Sequence, residues 1–113
     1  MSAADEVVQS IDKNMTSPES GLWRQVMSYS PGIMLVRHKI EPGWVGAAHS
    51  HPHEQLVYVV SGAIELTIAG ITHSLSAGDS ILVAGCAQHQ ARSDRASEVL
   101  DVFTPFRADY AAS

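Results

Sequence analysis

Apolar positions along the chain fall in short runs separated by turn-forming residues. The turns sit at Ser30-Pro31-Gly32, Glu41-Pro42-Gly43, Ser61-Gly62, Ala69-Gly70, Ala77-Gly78-Asp79 and Gly85. Gly there supplies a free φ and Pro a preset one. Between them lie runs rich in Val, Ile and Leu at 33–40, 55–60, 63–68, 80–83 and 97–103. None is long enough for a convincing helix, and the spacing predicts an all-β sandwich or barrel. Ile64, Leu66 and Ile68 alternate with Glu65 and Thr67, which places them on one face of a strand. In the last run Val99, Asp101 and Phe103 share a face, and Leu100 and Val102 the other. Both are apolar apart from Asp101, so burial on both sides is expected. An acid there needs a partner or a nearby cation; the alternative is a surface aspartate on an edge strand.

Ahead of Pro18 the pattern changes. Val7, Ile11 and Met15 recur at i, i+4 and i+8, which permits either a short amphipathic helix or an extended arm crossing a neighbouring copy. The chain therefore divides into an N-terminal arm over residues 1–20 and a β domain over 21–113.

Composition narrows the partners. With 113 residues the chain is one domain, and only 17% of them are charged, against about a quarter in an average soluble domain. That shortfall predicts a homodimer in which part of the surface is covered by a second copy. The net charge is −5, and the seven Lys and Arg are scattered singly, which argues against nucleic acid or an anionic membrane as partner. One cysteine, Cys86, excludes a disulfide framework within the chain and reads as a small turn residue. No apolar run approaches ~20 residues. Asp5 and Glu6 stand where a signal peptide would be basic. The expectation is a soluble cytoplasmic protein.

Six histidines is a high count, and three of them lie in His49-Ser50-His51-Pro52-His53. On a strand, His49 and His51 would leave the same face, and neutral imidazole is a common ligand for transition metals. The surrounding spacing is Gly43, five residues, His49-x-His51, three residues, Gln55, six residues, Gly62. Gly78 follows after fifteen residues, with His89 eleven positions beyond it. This resembles the two motifs of the cupin superfamily, Gly-x5-His-x-His-x3–4-Glu-x6-Gly and Gly-x5-Pro-x-Gly-x2-His-x3-Asn. The departures are Gln55 for Glu, Ala84 for Pro, Cys86 for the second Gly and Ser93 for Asn. The resemblance implies a single-domain jelly-roll β-barrel with His49, His51, Gln55 and His89 as ligands of a divalent metal ion (Ni, Zn, Fe, Mn or Co). Glu54 is a competing ligand of the wrong strand parity. A neutral shell of three His and a Gln leaves the full charge on the metal, which favours Lewis-acid work over oxygen activation. His53 is read as a rim residue, His73 as facing solvent or a partner, and His38 as an ordinary, partly buried histidine.

A narrower resemblance joins His49-Ser50-His51-Pro52-His53-x-Gln55-x-x-Tyr58-Val59 to Asp101-x-Phe103-x-Pro105-x-Arg107-x-Asp109-Tyr110 and to Arg24-x-x-Met27 with Tyr29. Together these are similar to the KdgF family of small cupins, which linearise unsaturated uronates from pectin and alginate. The resemblance implies an isomerase-like enzyme acting on a 4,5-unsaturated uronate monosaccharide. Asp101 is the candidate general base and proton shuttle. Arg107 is a bidentate fork for the substrate carboxylate, or else a surface arginine, and Phe103 is an apolar wall, or else a core aromatic. Two other readings remain at this point: an iron-dependent cupin dioxygenase and a non-catalytic sugar-binding cupin.

Overall fold

A computed structural model describes residues 5–112; residues 1–4 of the expected arm lie outside them. Ten strands follow in order: β1 (Thr16–Glu19), β2 (Leu22–Ser30), β3 (Ile33–Ile40), β4 (Trp44–Val45), β5 (Glu54–Ser61), β6 (Ala63–Ile68), β7 (Ile71–Ser76), β8 (Ser80–Val83), β9 (His89–Ser93) and β10 (Ser97–Thr104). A four-residue helix, α1 (Ala108–Ala111), ends the described chain. The strands form two antiparallel sheets, ordered β1-β2-β3-β10-β5-β8 and β4-β9-β6-β7. The jelly roll is therefore a pair of facing sheets rather than a continuously hydrogen-bonded cylinder. No helix among the described residues is long and apolar enough to cross a membrane.

The core lies between the sheets. Leu22, Ile40, Val57, Val59, Val83 and Val99 from the six-stranded sheet meet Ile64, Leu66 and Leu75 from the other. These are the inward positions of a period-two alternation. A smaller cluster of Met34, Val36 and Phe103 packs at the end that carries α1, against Phe106 and Tyr110. Gly62, in the β5–β6 turn, has φ +79° and no room for a side chain: a Cβ would stand 2.3 Å from Ser97 Oγ and 2.4 Å from the Ala96 carbonyl oxygen.

Two expectations change. The N-terminal segment forms only a 3-10 turn at Asp12–Asn14, with Met15 buried and Val7 exposed. Its polar groups are bound instead by the outer face of the six-stranded sheet. The Ile11 N–H donates to Gln25 Oε1, the Gln25 amide donates to the Gln9 carbonyl, and Asp12 accepts from Arg37 and Lys39. β1 continues this segment as an edge strand on β2 of the same chain. Second, β10 is not buried on both sides: Val99, Asp101 and Phe103 are buried, while Leu100 and Val102 are only half-buried. Leu100 lies beside Tyr58 and Val102 beside Leu56. Those two, with Val60 and Leu82, form an exposed apolar row.

Candidate metal centre and cavity

His49 and His51 do not sit on a strand. They lie in the loop over 46–53, which is stitched down by backbone bonds. Gly46 N–H donates to the Ala91 carbonyl, His49 and His89 exchange both of their backbone bonds, and Cys86 N–H donates to the His51 carbonyl at 2.7 Å. The fit beneath the loop is close, since a Cβ on Gly85 would stand 2.6 Å from the Pro52 carbonyl oxygen. The loop, rather than a pleat, brings the imidazoles of His49, His51 and His89 together, with one ring nitrogen from each inside a mutual 4.8 Å.

The tautomers decide what this cluster can hold. Nδ1 of His49 faces the Ala47 carbonyl at 3.0 Å, that of His51 the His53 carbonyl at 3.0 Å, and that of His89 the Ala87 carbonyl at 2.9 Å. A carbonyl only accepts, so each Nδ1 carries the proton and each Nε2 keeps a lone pair. Burial, then the Arg107 and His89 charges, push the His51 pKa down. Burial, then the His49 and Arg107 charges, do the same for His89. Both rings are therefore neutral ligands at neutral pH. His89 Nε2 is buried without a hydrogen-bond partner, and His51 Nε2 lies 3.1 Å from Gln55 Oε1, two acceptors facing each other. A divalent cation satisfies both observations, and the donor set of three imidazoles and an amide oxygen suits one.

Gln55, at the start of β5, donates its amide N–H to Asp101 Oδ1 at 2.8 Å. Asp101, buried at the centre of β10, accepts a second bond at Oδ2 from His38 Nδ1 at 2.6 Å. The Asp101 carboxylate thus adjoins the histidine cluster through Gln55, inside a cavity of about 460 Å³ that His49, Gln55, His89, Asp101, Phe103 and Arg107 help to line.

Arg107 follows β10 and precedes α1. Asp109 takes two of its nitrogens, at 3.1 and 2.8 Å, while NH1 is buried with no partner. Its guanidinium lies 4.0 Å from the Tyr110 ring centroid and 5.2 Å from that of Phe103. Burial is the largest single influence on Arg107 and lowers its pKa, but the bonds and charges of Asp109 and Tyr110 together outweigh it and raise the value, so the charge is secure. Burial raises the Tyr110 pKa, which keeps the phenol protonated.

The cupin-domain family model matches residues 36–103. Pectin degradation protein KdgF of Dickeya dadantii is 32% identical over 92 residues, covering 80% of this chain and 84% of that protein. This chain is a cupin of the KdgF family. Among solved structures, KdgF from Halomonas sp. superposes on this cupin with a TM-score of 0.81 at 35% identity, covering 85% of this chain and 89% of the other. An RmlC-like cupin from Shewanella frigidimarina gives 0.83 at 28% identity, covering 96% and 93%.

Within this cupin, the residue at the second motif glycine is Cys86. It keeps the left-handed conformation at φ +66°, so the turn survives the loss of glycine at the cost of local strain. Phe103 is only 2% exposed and meets His51 edge-on at 5.8 Å, so it packs the site as well as lining it. His53 Nε2 bonds the Phe106 carbonyl at 3.1 Å, tying the histidine loop to the segment before Arg107. Glu54 is exposed opposite Thr104, and His73 on β7 pairs with Leu66 on β6; neither belongs to the histidine cluster. Arg24, His38 and Tyr110 also line the cavity, and the sequence pattern assigns them no role. Arg24 and Tyr110 fell inside the family resemblance without a function, and His38 carried no local signal at all.

Proposed function

We propose that this cupin opens the ring of 4,5-unsaturated uronate monosaccharides, derived from pectin or alginate, and tautomerises them to open-chain keto acids. One juxtaposition carries the reading: the Asp101 carboxylate and the unpartnered Arg107 NH1 line the same cavity as the histidine cluster. The pectin-degradation name of the Dickeya relative supports it.

The residues divide the work. Arg107, held flat by Asp109 and Tyr110, offers its remaining nitrogen to the substrate carboxylate. Asp101 takes the proton of the anomeric hydroxyl, the bond from C1 to the ring oxygen breaks to leave an aldehyde at C1, and that oxygen leaves as the enolate at C5. Asp101 then returns the proton at C4, which gives the C5 ketone and restores the carboxylate. His49, His51, Gln55 and His89 would hold a divalent cation, which would supply Lewis acidity in this cavity. Tyr110 and Phe103 wall the arginine side and limit water there.

The test follows the ultraviolet absorbance of the C4–C5 alkene in purified unsaturated uronate. The metal-loaded protein is expected to remove it faster than a buffer control. Asp101→Asn should lose on the order of 10²-fold or more while keeping its metal. A parent no faster than buffer, with metal bound, refutes the reaction; a fully active Asp101→Asn refutes the base.

A further inference from the structure

Four polar side chains cross the inner face of the six-stranded sheet in one diagonal line, one from each of four adjacent strands. Arg24 on β2 stands directly opposite His38 on β3. His38 pairs with Val99, two residues from Asp101 on β10. Asp101 in turn pairs with Val57, two residues from Gln55 on β5. Residues two apart share a face, so register alone brings the four together.

The chemistry of the outermost member fixes every donor and acceptor along the line. A guanidinium can only donate, so the Arg24 Nε–H at 3.0 Å makes His38 Nε2 an acceptor. The His38 proton then belongs on Nδ1, from which it goes to Asp101 Oδ2. The other Asp101 oxygen accepts the Gln55 N–H, so the Gln55 oxygen is the end that faces His51. A carboxylate cannot donate, and an amide turned the other way would oppose Asp101 with a second acceptor.

We infer that Arg24 and His38 are positioning residues for both halves of the site. Arg24 holds His38 in a single tautomer. His38 holds Asp101 in the orientation that serves as base, and Asp101 presents Gln55 oxygen-first to the three histidines. Side chains that orient a metal ligand in this way commonly matter 10- to 100-fold in metal affinity or activity. The kinetic part of this inference rests on the ring opening proposed above; the tautomer and the metal affinity do not.

The experiment uses the full chain labelled with ¹⁵N and loaded with zinc, with long-range proton–nitrogen correlations of the His38 ring assigned by their loss in His38→Asn. The parent is expected to show a protonated Nδ1 and a bare Nε2, and Arg24→Met to shift protonation toward Nε2. In competition titrations with zinc, His38→Leu is expected to bind about tenfold more weakly or worse. Its kcat on unsaturated uronate should fall by a similar factor with KM within about twofold. His38→Asn, whose amide N–H replaces the Nδ1–H, should restore most of both. A parent His38 protonated at Nε2, or zinc affinity unchanged in His38→Leu, overturns the inference. If His38→Leu does not fold, the tautomer shift in Arg24→Met decides. A parent with the expected tautomer and zinc response but no turnover refutes the ring opening and leaves the positioning roles standing.

Discussion

The Gln55 amide gives its N–H to Asp101 at 2.8 Å and turns its oxygen to His51 Nε2 at 3.1 Å, so one side chain serves the candidate base and the candidate metal at once. The general cupin motif carries glutamate at this position, which could do only the second job. Two carboxylates side by side would repel, and neither could donate to the other. The departure at position 55 and the acid at position 101 therefore explain each other.

Gln55→Glu should accordingly retain metal yet lose at least about tenfold in kcat, the scale expected for disturbing a group that orients a ligand and a base. Elemental analysis paired with the absorbance assay checks this. Full activity would show that the N–H to Asp101 is dispensable.

His89 contributes a buried lone pair with no protein partner. His89→Ala should release the metal while the sheets persist, because the ring satisfies no other group except through its bond to the Ala87 carbonyl. Added metal should raise the thermal midpoint of the parent by mass action and leave that of the variant unchanged. Equal metal content in the two proteins would show that the centre lies elsewhere.

Arg107→Lys replaces a planar fork with a point charge and gives up the paired bonds to Asp109. KM for the uronate should rise roughly tenfold, with kcat changing far less. Steady-state kinetics separate the two, and an equal fall in kcat with constant KM would move Arg107 from binding to the reacting atoms.

Asp12 anchors the N-terminal segment. Lys39, then Arg37, hold its carboxyl below the ordinary 3.8. A folded value below the unfolded one means that the contribution is complete above the unfolded value and is lost as pH falls through the folded value. Asp12→Asn should melt slightly lower than the parent at pH 7, with the gap closing as the pH drops below about 4. Thermal melts between pH 7 and 3 check this; a gap that persists at the acid end would show that the contact does not act through charge.

The exposed row of Leu56, Tyr58, Val60 and Leu82 lies on the outer face of β5 and β8 and carries no charge. Such a flat apolar strip suits a two-fold copy of itself. Light scattering should give twice the 12.1 kDa of one chain, and Tyr58→Lys should return the monomer mass. A parent already at the monomer mass at micromolar concentration refutes this.

Much of the fold was legible because turn residues and alternation mark the same boundaries: the spans read at 33–40, 63–68 and 80–83 coincide with β3, β6 and β8. β2 was not among the expected runs. Its bulge between Val26 and Tyr29 breaks the parity, and Gln25 is buried under the N-terminal segment rather than in the core. β9 reads His-Gln-Ala-Arg-Ser and has no apolar signature of its own; the loop and β6 hold it in place. The three histidines are legible from motif spacing, although a loop and not a shared strand face brings them together. Arg24 and His38 were not legible as site residues, because their place depends on which strands pair and in what register, and no spacing within one segment encodes that.

The diagonal across β2, β3, β10 and β5 makes chemistry a proofreader of assembly. A slip of one residue in any of the three pairings would send that strand's polar side chain to the outer face and leave a donor or an acceptor stranded in an apolar interior. A misaligned sheet would thus be both less stable and inert, and recovery of activity after refolding would count the molecules whose strands had found their proper neighbours.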